Sequence, residues 1–334
     1  MRVPMRDADA PRSYAPTVDW ALARRVTRLG SRDLPERTLP ELRQLVADLR
    51  VTARRAGEAG AEHLGLDSVG AATIRVVDWA GWGEAVRAMT DGVVADLGLP
   101  ARAPGPVTTL RGLGSGLALG AGLRFASRRL LGQYDGYTGA DTLYLVAPTI
   151  VRLERAHGFV PADFRMWVSL HEQTHALQFR AAPWLRDHLK DGARAVLDDE
   201  SSLLEGLVGW ARSGDAAAVV ATGEGAERLT GIVSTMTFLE GHADHVADEV
   251  GRRLVPTVKR LRRAFARKEP RSRLGRLAGS LNKDAQYREG LEFCRRVTRR
   301  GGRDALRAAF AAPESLPTRA EIADPEAWLR RVHG

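Results

Sequence analysis

His171 and His175 stand four residues apart with Glu172 between them, in the run His171-Glu172-Gln173-Thr174-His175. On a helix, residues four apart lie one above the other, so both imidazoles project from one face toward one point, where a single metal ion can take both. Glu172 is turned about a quarter turn from that axis, placed to orient a water without ligating the metal. The chemistry such a group does is hydrolysis. Zn²⁺ lowers the pKa of a water toward about 7, and Glu172 takes its proton as it attacks a carbonyl carbon and later delivers it to a leaving amine.

A catalytic zinc typically has three protein ligands and one open position, so the chain must supply a third. Thr235 to Val250 reads TMTFLEGHADHVADEV, a helical pattern with carboxylates in an apolar setting. Glu240 is the first candidate. Asp244 lies one turn further on the same face and can accept the second imidazole N–H of a ligating histidine. His242 and His245 project elsewhere if Glu240 faces the metal. Either could replace it as ligand, hydrogen-bond a substrate or be a surface histidine, the last being the reading for His245. Glu205, in Leu203-Leu204-Glu205-Gly206, is the second choice of ligand and is read first as an exposed helix carboxylate.

The histidines need a helix to hold them, and the sequence provides its signals. Pro161 suits the first turn, Asp163 complements the positive end, and Pro183 marks the stop. Phe164, Trp167 and Val168 continue the histidine face as an apolar stripe, and Met166, Leu170, Thr174 and Leu177 cover much of the opposite side, so the helix is expected to be buried nearly all round. Just upstream, Leu143–Val146 is the best strand in the chain, with Gln133-Tyr134-Asp135 in a turn before it that lines a cleft or caps a helix. The Glu-x-x-x-Asp pattern of Glu240 and Asp244 resembles the second metal helix of the gluzincins, the thermolysin-like branch of the zincins.

Several separated segments carry a wider resemblance: Val76-Val77-Asp78-Trp79-Ala80-Gly81-Trp82, Leu131-Gly132-Gln133-Tyr134-Asp135, the run from His171 to Leu189, LEGHADHVAD from Leu239 to Asp248, Lys283 to Gly290, and the tail from Leu316 to Val332. Together these resemble the zincin-like type 2 metallopeptidases of actinobacteria and relatives, described as coenzyme-biosynthesis-associated through a genomic link to the redox deazaflavin coenzyme. Trp79 departs from the family's Arg, and Arg180 stands where an acidic residue is common. The resemblance implies a predominantly α, zincin-like fold with a small β-sheet and a metal-dependent hydrolase. In zincins the strand before the metal helix commonly forms the edge that receives an extended substrate, which the resemblance extends to Leu143–Val146. A Tyr or His near the open metal position can stabilise the oxyanion there, with Tyr287 as the candidate and His242 second.

The remaining chain sets the frame. Residues 1–16 contain no apolar signal-peptide core and read as a disordered arm; 17–106 read as a mainly helical region and 107–334 as the catalytic region, with one integrated domain as the alternative. Helical spacing runs from Val18 to Leu66 and from Trp82 to Leu97, with a short strand at Thr73–Val77. The Pro/Gly stretch Ala101–Pro106 is the best boundary. Glycines between Leu110 and Asp135 lack a Gly-Lys-Ser/Thr ending and a preceding strand, which excludes a phosphate loop, and the apolar run is too short to span a membrane. Leu185–Thr230 reads as a lid between the metal helices. The last segment, from Leu316 to Trp328, is expected to dock on the body.

One cysteine, Cys294, excludes an intrachain disulfide and a cysteine zinc cluster, so a cytoplasmic setting is expected. The net charge of +9 is mostly an arginine excess in an Ala-, Gly- and Arg-rich chain. Its densest run, Arg252–Arg276, has few interleaved aromatics and reads as a solvated helix face rather than a nucleic-acid site. The expected partner is a peptide or small amide substrate.

Overall fold

The computed structural model describes residues 18–28, 37–96, 98, 123, 128–198, 224–266 and 283–334. Helix α1 spans Trp20–Arg28 and α2 spans Leu39–Leu64. At the start of α2 the Thr38 hydroxyl accepts from the Glu41 N–H while the Glu41 carboxylate accepts from the Thr38 N–H at 2.7 Å, a reciprocal cap. Strand β1 (Thr73–Val77) and helix α3 (Trp79–Asp96) follow, then β2 (Gly132–Asp135) and β3 (Thr142–Val146). Next come α4 (Ala147–His157), α5 (Pro161–Ala181), α6 (Leu185–Asp198), α7 (Glu224–Leu254), α8 (Val258–Ala266) and α9 (Lys283–Gly301). Two 3₁₀ segments, Arg303–Phe310 and Pro313–Ser315, lead to α10 (Arg319–Ala323) and α11 (Pro325–His333).

The three strands form one sheet in the order β1-β3-β2, with β1 parallel and β2 antiparallel to β3. Two expectations change here. Leu143–Val146 is the central strand, paired on both sides and buried along its length, so it offers no edge to a substrate. Gln133–Asp135 is itself a strand and not a turn. Gly, Gln and Asp are poor strand formers, and tertiary partners hold them: the Trp82 indole N–H donates to Gln133 Oε1 at 3.0 Å, and the Tyr134 hydroxyl donates to Asp141 Oδ1 at 2.9 Å.

The sheet leans on a stack of helices in which α5 lies between α2 and α7, and α7 lies between α5 and α9. Gln173, fully buried on α5, donates to Ala53 O at 2.9 Å and accepts from Ala71 N–H at 2.8 Å, tying α5 to α2 and to the approach to β1. One apolar core joins Leu49, Leu143, Ile150, Phe164, Leu170 and Val250. β1 and α2, from the N-terminal region, thus share the sheet and core of the later segments.

A second core gathers Phe238, Phe293, Phe310 and Trp328, and through it the tail docks on the body. Trp328 is fully buried and donates its indole N–H to Ser315 O at 2.9 Å. Helices α7 and α9 cross at Gly241 and Gly290. A β-carbon on Gly241 would lie 2.0 Å from the Gly290 carbonyl carbon, and one on Gly290 would lie 2.0 Å from Thr237 O. No larger residue fits at that crossing, and the close approach fixes the rotation of α7 about its axis. Among the described residues no helix is long and apolar enough to cross a membrane. Cys294 is buried and free.

Candidate metal centre

Helices α5 and α7 run antiparallel, and each offers its ligands at helical spacing across one interface. His171 Nε2 lies 3.3 Å from Glu240 Oε2, His175 Nε2 lies 3.6 Å from the same oxygen, and the two Nε2 atoms are 3.3 Å apart. The three candidate ligand atoms all lie within 4.8 Å of one another.

The other ring nitrogens are engaged. His171 Nδ1 is 3.1 Å from Asp244 Oδ1, and His175 Nδ1 is 2.9 Å from Gln178 Oε1. With each Nδ1 carrying its proton toward an oxygen acceptor, both Nε2 lone pairs converge beside one carboxylate, the donor set and tautomer a divalent metal such as zinc requires. On this ground the residues fit the ion.

The electrostatics agree. Burial opposes charge on His171, but hydrogen bonds and charge from Asp244 and Glu240 outweigh it and hold the imidazole well above its ordinary value. His175 is raised in the same way, mainly by Glu240. Burial pushes the Glu240 carboxyl up, yet the two histidines win and hold it below the usual carboxylate range. The metal-free site therefore binds protons where a cation would sit, and loading it releases them.

Glu172 is different. Burial raises its carboxyl above the usual range and the nearby Glu240 charge adds to this, with the histidines only partly offsetting them. That is the direction a general base needs in order to hold a proton near neutral pH. The side chain rests on Gly132 of β2: a β-carbon at that glycine would come within 2.7 Å of Glu172 Cδ. Glycine at the start of β2 thus makes the space the carboxylate occupies.

Asp244 is held from behind. Its Oδ2 accepts from Arg262 Nη1 at 2.9 Å, its carbonyl oxygen from Arg262 Nη2 at 3.2 Å, and Arg262 Nε donates to Asp248 Oδ1 at 2.9 Å. Arg295 closes the other side of Asp248 at 2.9 Å, and the Arg262 guanidinium lies 4.9 Å over the Trp167 ring. Against burial, His171 and Arg262 push Asp244 down to about 2, so it stays charged opposite His171. The basic run is therefore not only a solvated face. Arg262 turns inward, Arg260 donates to the carbonyls of His157 and Gly158, and residues 267–276 lie outside those described.

His242 is buried. Its Nδ1 is 3.1 Å from Gln178 Nε2, whose amide also donates to Leu239 O at 2.7 Å, and its ring packs 5.0 Å from Phe310. His245 Nε2 pairs with Thr298 Oγ1 at 3.1 Å and is buried as well, not a surface group. Geometry therefore brings His171, His175, Glu240, Asp244 and Glu172 together and leaves His242 and His245 out. The side chain of Tyr287, on α9, and all of Glu205 lie outside the described residues.

Burial pushes His242 down to about 3 and His245 to about 4. Both folded values are below the unfolded one, so the unfolded chain takes up protons first as pH falls. Their contribution is complete above about pH 6.5 and is lost on acidification toward pH 3–4. Replacing His245 by Gln should shrink the stability lost between pH 7 and pH 5 by about 2 kcal/mol. Urea unfolding at the two pH values measures this, and an unchanged pH slope would contradict it.

Sequence reasoning missed Gln178 and Tyr137. Gln178 follows His175 by one turn, a spacing that was available to read. Tyr137 sits in the β2–β3 turn, where the Asp135 carboxylate accepts the N–H groups of Tyr137 and Thr138 at 3.2 and 3.0 Å. Its hydroxyl lies 4.0 Å from Met236 Sδ, and its phenol is raised by burial and then by the nearby charge of Glu240.

The family profile for zincin-like metallopeptidases matches residues 18–329. The chain belongs to the zincin-like metallopeptidase family. Its membership fits the helical fold with a small sheet and the convergent His-His-Glu group. A crystal structure from Chloroflexus aurantiacus, described as that of a candidate hydrolase with a novel fold, is similar over 94% of this chain and 98% of its own, with 26% identity and a TM-score of 0.65. No curated protein matches the sequence. In this family member the Trp79 indole donates to Thr149 Oγ1 at 2.9 Å, and Arg180 pairs with Asp141.

Proposed function

We propose that this family member is a zinc-dependent peptidase, with His171, His175 and Glu240 holding the ion and Glu172 acting as general base and acid. The observation that carries the reading is the contact between Glu172 and Gly132. Strand β2 is an edge of the sheet among the described residues, and its first residue lies against the carboxylate that would move the proton. A peptide pairing with that edge would bring a backbone carbonyl beside Glu172 without a dedicated side-chain pocket.

When bound, zinc would polarise the carbonyl and make water acidic enough to attack at neutral pH. Glu172 accepts the proton of the attacking water and passes it to the amine as the C–N bond breaks. Asp244 keeps His171 in the tautomer that presents Nε2, with Arg262 holding Asp244, and Gln178 does the same for His175. Tyr137 is the hydroxyl we assign to the developing oxyanion: its partner is a thioether, a weak acceptor that a substrate oxygen readily replaces. The candidate-hydrolase description of the Chloroflexus structure supports hydrolysis as the reaction class. A small amide or an intermediate of coenzyme synthesis is the alternative substrate.

The test is digestion of a mixed peptide library by zinc-loaded and chelator-stripped protein, with cleavage sites read by mass spectrometry. Metal-dependent cleavage of internal peptide bonds is expected. Turnover of small amides with no peptide cleavage would replace the peptidase reading, and absence of any metal-dependent hydrolysis would move the protein to a scaffold role.

A further inference from the structure

The two histidines of the metal centre are backed by groups of different charge. Behind His171 stands the Asp244 carboxylate, and behind His175 the buried, neutral amide of Gln178. Each end of that amide has a fixed role. Leu239 O can only accept, so the amide atom 2.7 Å from it is Nε2, and Oε1 is the one that faces His175 Nδ1 at 2.9 Å. The second Nε2 hydrogen points to His242 Nδ1 at 3.1 Å, which must accept it. His242 is therefore neutral, with its proton on Nε2. Gln178→Glu would still accept from His175 but has no N–H for Leu239 O or for His242. The His242 ring is buried, 5.0 Å from Phe310 and 5.9 Å from Phe238. Phe310 ends the first 3₁₀ segment, and its carbonyl oxygen accepts from the Trp184 indole at 3.2 Å, just past the end of α5. The docked C-terminal part of the chain thus reaches the metal centre through Phe310, His242 and Gln178 in series.

We propose that His242 is a positioning residue of the metal centre, acting through Gln178 to hold His175 in the tautomer that presents Nε2. The inference rests on the metal-dependent reading above and gives His242 a place in it that is neither ligand nor oxyanion donor. Leu239 O engages one hydrogen of the amide and His242 the other. Two acceptors fix the amide plane about its bond to Cγ, whereas one leaves it free to swing, and the plane decides whether Oε1 lines up with the His175 Nδ1–H. A hydrogen bond at the far nitrogen orients a ligating imidazole and makes it the stronger donor. Losing His242 also leaves a buried amide N–H without a partner, so the disturbance falls on Gln178 first.

Zinc affinity of the full-length protein, measured by competition with a chromogenic chelator, tests this without relying on turnover. Gln178→Met should weaken zinc binding about 10- to 100-fold, and His242→Leu about 10-fold. His242→Asn, whose Oδ1 stands in for Nδ1 as acceptor, should return to within about 3-fold of the unaltered chain. In the Gln178→Met background His242→Leu should cost nothing more, because the route to His175 is already cut. The tautomer is read on the unaltered zinc-loaded protein by ¹⁵N NMR, with the His242 ring assigned through couplings to its own backbone, and a protonated Nε2 with a bare Nδ1 is expected. A proton on His242 Nδ1, unchanged zinc affinity in His242→Leu, no recovery in His242→Asn, or an equal loss in both backgrounds would overturn the proposal and leave the ligand set standing. Failure of the unaltered chain to take up zinc would overturn the metal reading and this inference with it.

Discussion

Glu172→Gln is expected to keep its metal and lose turnover, by on the order of 10²–10⁴-fold, the contribution of a positioned general base. The amide has the size of the carboxylate, so it fits the space that Gly132 leaves, and the helix contacts of Gln173 and Leu170 are untouched. It cannot accept a proton from water. Nor does it bear on the ligand set, because His171, His175 and Glu240 converge without it. Steady-state rates on a peptide found in the library digest, beside zinc content by mass spectrometry, measure both halves of the claim. Normal turnover in this variant would remove Glu172 from the mechanism.

Arg262→Met is expected to cost about 3–5 kcal/mol of stability, the scale for removing one partner from a buried charge group. Arg262 is the cation shared by Asp244 and Asp248, and without it two carboxylates face each other on one helix with Arg295 touching only the second. Asp244 then keeps His171 but loses the second of the two groups that hold it ionised, its pKa rises, and its grip on His171 weakens. Metal affinity should fall about 10- to 100-fold, the usual effect of losing a partner behind a ligand. Arg262→Lys should recover only part of this, since one ammonium cannot span two carboxylates and a carbonyl oxygen. Denaturant unfolding and competition with a chromogenic chelator read the two effects separately. Unchanged stability and affinity would mean that Asp244 is oriented by other contacts.

Much of the architecture was legible because helices write their partners at fixed spacing. His171 and His175 announced one face, Glu240 and Asp244 another, and the apolar stripes around them announced a buried helix at Pro161–Ala181. What was illegible depended on distant chain. Leu143–Val146 has the composition of any good strand, and its central place comes from pairing with Thr73–Val77, some seventy residues earlier. Gly132–Asp135 has almost no strand propensity of its own and is held in register by β3 and by Trp82. Arg262 sits in a run of basic residues that resembles solvated surface, and only the positions of Asp244 and Asp248 in space give it an interior role. The glycines at 241 and 290 look like weak points in two helices until the helices are seen to touch there.

The most direct measurement is the zinc content of the purified protein and of its His175→Ala, Glu240→Ala and Glu205→Ala variants. About one zinc per chain is expected, lost in the His175 and Glu240 variants, which each remove one of three ligands, and kept in the Glu205 variant. A chain that takes up no metal when zinc is supplied, or that keeps it without Glu240, would contradict the ligand set on which the proposed chemistry depends.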